Sequence, residues 1–181
     1  MNAMYFLVNT VFDLYLLIVL LRLWLQWARA DFYNPFSQFI VKVTQPILTP
    51  MRRMIPSIGG FDTATFVLAL VVAIVKVYIL IAMGMMQASV IGVFIFSIGI
   101  VIKEIFKMIF WVLILQAILS WVSQGRSPIE YVMRQLTEPL LAPIRRFIPP
   151  MGGLDFSVLV ALIALQFLQM LVSDIFVHIL G

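Results

Sequence analysis

The chain has no cysteine and a single histidine, His178. Disulfides, thiol nucleophiles, thiolate metal sites and clustered histidine ligands are thereby excluded, and no metal or cofactor is expected. Charge is also scarce. Asp, Glu, Lys and Arg make up 11% of the sequence, against about a quarter of a soluble domain. The eight acidic residues are scattered along the chain, so an enzyme is not expected. What fills the space is apolar: 64% of the 181 residues are hydrophobic and the mean hydropathy is +1.12. Too little polar surface remains to cover a globule in water, and the composition is that of an integral membrane protein. A net charge of +4 and a pI near 9.7 would suit nucleic acid in a soluble chain. In one this apolar, a basic excess reports loop orientation and contact with anionic lipid.

Stretches of about 20 apolar residues, enough to cross about 30 Å of hydrocarbon, run from Tyr5 to Trp27, Thr63 to Met83, Ile98 to Trp121 and Phe156 to about Phe176. Ala88 to Ile102 is apolar as well and is a candidate fifth span. Charge placement decides against it. Arg29, Lys42, Arg52 and Arg53 lie between the first two spans, and Arg126, Arg134, Arg145 and Arg146 between the last two. With four spans both basic loops face the cytoplasm, as the positive-inside rule prefers; with five, four Arg would be stranded outside. Ala88 to Ile102 is therefore expected to be an outer connection and a helix extension. Tyr5 to Trp27 does not read as a signal peptide: it lacks a basic start and a small-residue cleavage site, and Asp13 and Arg22 interrupt it.

The sequence repeats itself. Thr44-Gln-Pro-Ile-Leu-Thr-Pro-Met-Arg-Arg-Met-Ile-Pro-Ser-Ile-Gly-Gly-Phe-Asp62 matches Thr137-Glu-Pro-Leu-Leu-Ala-Pro-Ile-Arg-Arg-Phe-Ile-Pro-Pro-Met-Gly-Gly-Leu-Asp155 at an offset of 93, with 11 identities in 19 positions. Asn34-Pro35 meets Ser127-Pro128 at the same offset, and a one-residue gap brings Trp27 onto Trp121. The expected organisation is a first repeat over residues 1–83, an outer connection over 84–97 and a second repeat over 98–181. Each repeat is a span, a cytoplasmic amphipathic helix with its Pro-Arg-Gly motif, and a returning span. Two spans per repeat keep both copies in the same orientation, related by a pseudo-twofold axis along the membrane normal. The fold class is an all-α membrane protein of four transmembrane helices.

The motif has a local logic. Asn34 and Ser127 are favoured helix N-caps followed by Pro at the first helical position, and Ser127 with Glu130 has the spacing of a capping box. In the first helix Phe36, Phe39, Ile40 and Val43 share a face; in the second, Ile129, Val132 and Leu136 oppose Glu130, Arg134 and Gln135. That periodicity suits a helix lying in the membrane interface. Pro46, Pro50 and Pro56, with Pro139, Pro143 and Pro149, are expected to forbid one long regular helix and to leave each Arg pair on a stiff, bent segment. Gly59-Gly60 and Gly152-Gly153 allow backbone conformations closed to other residues, and Asp62 and Asp155 are placed to cap the returning spans.

With its two copies of Pro-x3-Pro-x-Arg-Arg-x-Ile-Pro-x2-Gly-Gly-x-Asp, from Pro46 to Asp62 and from Pro139 to Asp155, the chain strongly resembles the YggT family of small integral membrane proteins, also called the YlmG family. The segment from Ser120 to Glu130 is similar to the enterobacterial-type members. The resemblance covers nearly the whole chain. It implies a bacterial inner-membrane protein with an organising or stress-related role and brings no reaction. Relatives are associated with osmotic or salt tolerance, with genes near the division machinery, and in plastids with cytochrome complex assembly and nucleoid or division organisation.

Two groups of residues are candidate sites. Arg52, Arg53, Arg145 and Arg146, bounded by Pro46, Pro50, Pro139 and Pro143 and followed by Gly59, Gly60, Gly152 and Gly153, read either as topology signals that snorkel to lipid phosphates or as a paired site for anionic headgroups or acidic partners. Nucleic acid is not expected, since aromatic residues are not interleaved with these Arg. Counted from mid-span, Asp13, Lys76, Lys107 and Gln169 lie at one depth, about 4.5 Å toward the outer face. They form an intramembrane polar layer that serves either to fix helix register or as part of an ion or proton path. Asp13 and Arg22 lie on opposite faces of their helix, so Asp13 needs a partner from another span, Lys76 first and Lys107 second. His178 reads as an interfacial side chain, the eleven Met as adaptable packing, and Trp27 and Trp121 as parts of an aromatic belt.

The expected function is the organisation of membrane lipids, anionic headgroups above all, or of membrane-protein partners, including further copies of the chain. An ion-transport component acting as an oligomer is the alternative. The inner halves of spans two and four, Phe66 to Val75 and Phe156 to Leu165, are almost wholly apolar, which opposes a single-chain pore. Both motifs are expected on the cytoplasmic side. Single Cys residues introduced at Ser57 and Ser123 of this naturally Cys-free chain should both react with a membrane-impermeant thiol reagent from the cytoplasmic face; labelling from opposite faces would refute the parallel repeat.

Overall fold

The structure is a computed structural model that describes residues 3–122, 127–148 and 155–180, with side chains as far as residue 176. Pro149, Gly152, Gly153 and the side chain of His178 lie outside the described residues. Six α-helices occur among those described: α1 (Ala3–Trp27), α2 (Pro35–Met54), α3 (Thr63–Ala82), α4 (Val90–Val122), α5 (Pro128–Arg145) and α6 (Phe156–Leu180). Three of them, α1, α3 and the Phe156–Phe176 part of α6, are long and apolar enough to cross a membrane. Apolar solvent leaves the backbone no partner but itself, so long apolar runs close every hydrogen bond within a helix. α4 carries this furthest, with 33 unbroken residues. Most of Ala88 to Ile102, expected to be part connection and part extension, is the first stretch of that helix.

Packing divides the chain into two units, Met1–Leu23 with Ile40–Ile105 and Trp24–Phe39 with Phe106–Gly181. In the first, α3 buries Ala64, Leu68, Ala69, Val72, Ala73, Val77 and Leu80 on one stripe of 3.6-residue period. Three of these are Ala, the small residues that let membrane helices approach closely. In the second, Leu113 of α4, Leu141 of α5 and Val158, Ala161 and Leu165 of α6 form the core, with Phe106, Phe110 and Leu162 packed around it. The opposite faces of the apolar helices stay exposed, as at Phe6 and Leu7 of α1 and Ile163 and Phe167 of α6. Continuous apolar surface of this extent belongs in lipid.

The two motif helices bury matching stripes. Ser37, Ile40, Thr44 and Leu48 of α2 are buried, and so are Glu130, Met133, Thr137 and Leu141 of α5, each 93 residues further on. The buried stripes differ from the expected faces at three residues: Phe39 and Ile129, expected on the apolar side, are exposed, and Glu130, expected on the polar side, is 1% exposed. Short side chains decide the matter. The Thr44 and Thr137 hydroxyls each donate back to the carbonyl four residues earlier, of Ile40 at 2.8 Å and of Met133 at 3.0 Å, which satisfies a polar atom on a buried face without a partner elsewhere.

Both helices also run through their prolines, contrary to the expected breaks. Pro46 and Pro50, like Pro139 and Pro143, are four residues apart and exposed. Each proline frees the carbonyl four residues before it, so all the lost bonds fall on one exposed face where water or headgroups replace them. Asn34 caps α2 as expected, its Oδ1 accepting from the Phe36 N–H at 2.9 Å. Ser127 makes no side-chain cap bond, so the capping box does not form. Instead Asn34 Nδ2 donates to the Pro128 carbonyl at 2.7 Å and the Asp31 N–H to Gln135 Oε1 at 2.9 Å, tying the segment before α2 to α5.

Candidate functional site

In the first motif the chain leaves α2 at Met54 and must return into α3 at Thr63. Gly59 and Gly60 have φ of 59° and 83°, both in the left-handed region that a two-residue type I′ turn requires. Ile58 and Phe61 exchange backbone hydrogen bonds of 3.2 and 2.9 Å across that turn. It delivers Asp62 to the N-cap of α3, where the carboxylate accepts from the Thr65 N–H at 3.2 Å and the Thr65 hydroxyl at 2.5 Å. The same carboxylate accepts a short hydrogen bond from the Arg52 guanidinium. Burial pushes the Asp62 carboxyl up, but the bonds from Thr65 and Arg52 outweigh it and hold the group below the ordinary carboxylate value. The Thr63 hydroxyl donates to the Pro56 carbonyl at 2.6 Å and closes the outer side of the loop.

The second motif is built alike. Arg145 Nε and Nη2 donate to Asp155 Oδ2 at 3.0 and 2.7 Å, and Nη1 to Glu138 at 2.6 Å. Asp155 in turn accepts from the Ser157 N–H at 3.0 Å and from the Ser157 hydroxyl. Burial raises the Asp155 carboxyl, and Ser157 and Arg145 bring it below its usual value; burial lowers Arg145, and Asp155 with Glu138 raises it above its own. In each copy, then, the first Arg of the pair and the motif's last Asp clasp the end of a motif helix to the start of an apolar one.

The second Arg of each pair is different. Arg53 and Arg146 are exposed and make no ion pair among the described residues. Beside them Met54 is 85% exposed and Phe147 87%. A cation and a bare apolar side chain therefore stand together at equivalent places in both copies. Of the polar layer, the structure joins Asp13 to Lys76, with Nζ 2.5 Å from Oδ1. Lys107 is exposed and Gln169 half-buried, both in the second unit. Three buried polar residues escaped the reading of the sequence as candidates: Glu104, 4% exposed, Gln116, 6%, and Glu130, whose Oε1 lies 3.0 Å from Arg134 Nη2. Gln116 lines a cavity of about 570 Å³ in the second unit together with Arg134, Arg145 and Asp155. The one available signal was a polar or charged residue set inside a long apolar run.

A sequence model of the CCB3/YggT family matches residues 1–83 and again 93–176. The chain belongs to that family. A Vibrio alginolyticus relative, described as an uncharacterized protein in the proC 3′ region, is 57% identical over 97% of this chain and 96% of its own length. The uncharacterized protein YggT of Escherichia coli K12 is 49% identical over 97% of this chain and 92% of its own. Uncharacterized protein PA0392 of Pseudomonas aeruginosa is 46% identical over 96% and 89%. No solved structure matches. As a member of the CCB3/YggT family, the chain displays the motif's two Arg in two distinct states, one clasped and one open.

Two predictions come from these contacts. Because the folded Asp62 titrates below its ordinary value, its contribution to stability is complete above the unfolded carboxyl pKa, about 3.9, and is lost as pH falls through the folded value. Unfolding in detergent at pH 7 should show Asp62→Asn destabilised by about 1–3 kcal/mol, with the gap from wild type closing only below about pH 4. For the intramembrane pair, Asp13→Asn should destabilise by stranding buried Lys76, and adding Lys76→Met should recover part of the loss. A double variant no better than the sum of the two single changes would deny the coupling.

Proposed function

We propose that this protein is a non-enzymatic, multi-pass protein of the bacterial inner membrane that organises anionic lipid, and through it membrane-protein partners, with two cytoplasmic motifs. In this reading α4 supplies the fourth crossing through its Ile98–Trp121 run, with Lys107 in the polar layer, and both basic motif loops obey the positive-inside rule. The observation that carries the lipid role is the division of labour within each Arg pair. Arg52 and Arg145 are spent on their own Asp, whereas Arg53 and Arg146 stand open beside exposed Met54 and Phe147. At a headgroup surface such a pair places its guanidinium on phosphate and its apolar neighbour among the upper acyl carbons. The clasp sets the position of the open Arg. Osmotic or salt tolerance, division and complex assembly all call for lipid or protein ordered at the membrane face, and the proposal meets that shared need.

The competing reading is an oligomeric ion-transport component, for which the half-buried Asp13–Lys76 pair speaks. The apolar inner stretches of α3 and α6 oppose it within one chain.

In nanodiscs of mixed zwitterionic and anionic lipid, the wild-type protein should enrich anionic lipid among the molecules it retains. Replacing Arg53 and Arg146 together by Gln, at about 1 kcal/mol for each Arg near a charged surface, should reduce that enrichment about thirtyfold without lowering the unfolding temperature. Arg52→Gln should lower the unfolding temperature instead. Unchanged enrichment in the double variant would sink the lipid role, and ion flux through proteoliposomes holding the purified protein would favour transport.

A further inference from the structure

The two copies differ where their helices end. Under the alignment that sets Trp27 on Trp121, Gln116 takes the place of Arg22. In the first copy Arg22 is buried and stands close enough to Arg52 and Asp62 to feel both charges. The second copy keeps the equivalent Arg145 and Asp155 but sets the shorter Gln116 opposite them, and there the cavity of about 570 Å³ opens. Gln116 is 6% exposed, and its Oε1 has no hydrogen-bond partner among the described residues. A buried amide left unpaired is costly, which points to a group absent from the protein itself.

The lining gives that group its chemistry. Trp121, Phe156, Leu159 and Leu162 make an apolar wall on α4 and α6, and a chain laid along helices of this kind comes from the bilayer. Arg134 also lines the cavity; it gives one Nη2 bond to Glu130, and its side chain is 55% exposed. A guanidinium carries five N–H donors, so most remain for a phosphate. Gln116 sits five residues along α4 from Trp121, about 7.5 Å deeper than the helix end. A glycerophospholipid with its phosphate on Arg134 brings its glycerol to that depth. An amide has one donor end and one acceptor end, and a hydroxyl answers both. The glycerol of a diacyl lipid offers only ester acceptors there, whereas a monoacyl lipid keeps a free hydroxyl. The volume holds roughly twenty groups of about 30 Å³ each, suited to a glycerol and one chain.

We infer that the second unit holds a binding site for a monoacyl glycerophospholipid, with its phosphate on Arg134, its free glycerol hydroxyl on Gln116 and its single chain along α4 and α6. This site is separate from the open Arg53 and Arg146, so either can fail without the other.

The full-length protein in a non-phospholipid detergent would be titrated with monopalmitoyl phosphatidic acid, dipalmitoyl phosphatidic acid and glycerol phosphate, with bound species counted by native mass spectrometry. The wild type should bind the monoacyl lipid at least tenfold more tightly than the diacyl lipid and should not bind glycerol phosphate. Gln116→Leu should bring the two lipids to near parity. Gln116→Arg, which copies the first repeat, should abolish monoacyl binding by filling the cavity. Leu159→Trp fills it from α6 and should do the same should the Arg variant not fold. Equal affinity of the wild type for both lipids overturns the proposal. So does competition by glycerol phosphate, which would mark a bare anion site, or monoacyl binding undiminished in a folded filling variant.

Discussion

An arginine at the end of one helix held by a carboxylate at the start of the next is the contact on which each half of this chain depends. Helices that cross or lie on a membrane gain little from a hydrophobic effect between themselves, since lipid tails are as apolar as their own side chains. Direction must come from polar contacts at the ends. The Arg52–Asp62 and Arg145–Asp155 pairs supply it, because the same carboxylate that caps the apolar helix also receives the cation from the motif helix. A single anion thus answers a helix N-terminus and a guanidinium at once, which offsets the cost of its burial. The type I′ turn at Gly59 and Gly60 keeps the loop short enough for this.

Placing two copies of one device in a chain frees the copies to diverge. The buried stripes at 37, 40, 44 and 48 and at 130, 133, 137 and 141 match position by position. The differences lie beside the clasp: Arg22 against Gln116, and Ser37 against Glu130, which takes Arg134 as partner. The second copy has a hollow bordered by charge, although its linking motif matches the first at 11 of 19 positions.

Much of this arrangement could be read before any coordinates, and the limits have physical causes. The repeat, the apolar helices, the caps at Asn34, Asp62 and Asp155 and the pairing of Asp13 with Lys76 follow from identity, local chemistry and depth along a helix. The fate of the prolines did not, because a four-residue spacing on an exposed face gathers the lost bonds where solvent restores them, and residue counting alone pointed to a break. Phe39, Ile129 and Glu130 depart from their expected sides because periodicity finds an apolar face, while burial in membrane proteins follows small size and satisfied hydrogen bonds. The split within the Arg pairs required the position of each carboxylate. Gln116 was hidden because one amide in an apolar run has no pattern.

The length of α4 has a mechanical meaning. Its 33 residues extend about 50 Å at 1.5 Å each, against a hydrocarbon layer of about 30 Å. Tilt alone does not absorb the difference: even at about 40°, the upper end of what such helices adopt, the helix still projects about 38 Å onto the membrane normal. As a crossing element it must therefore stand proud of the hydrocarbon by at least a full turn, with Val90 and Ile91 exposed at its first residues. With α4 as the proposed fourth crossing, thickening the bilayer would bring those side chains into oil and thinning would strand them in the headgroups, so the helix would convert bilayer thickness into a hydration energy at its own tip.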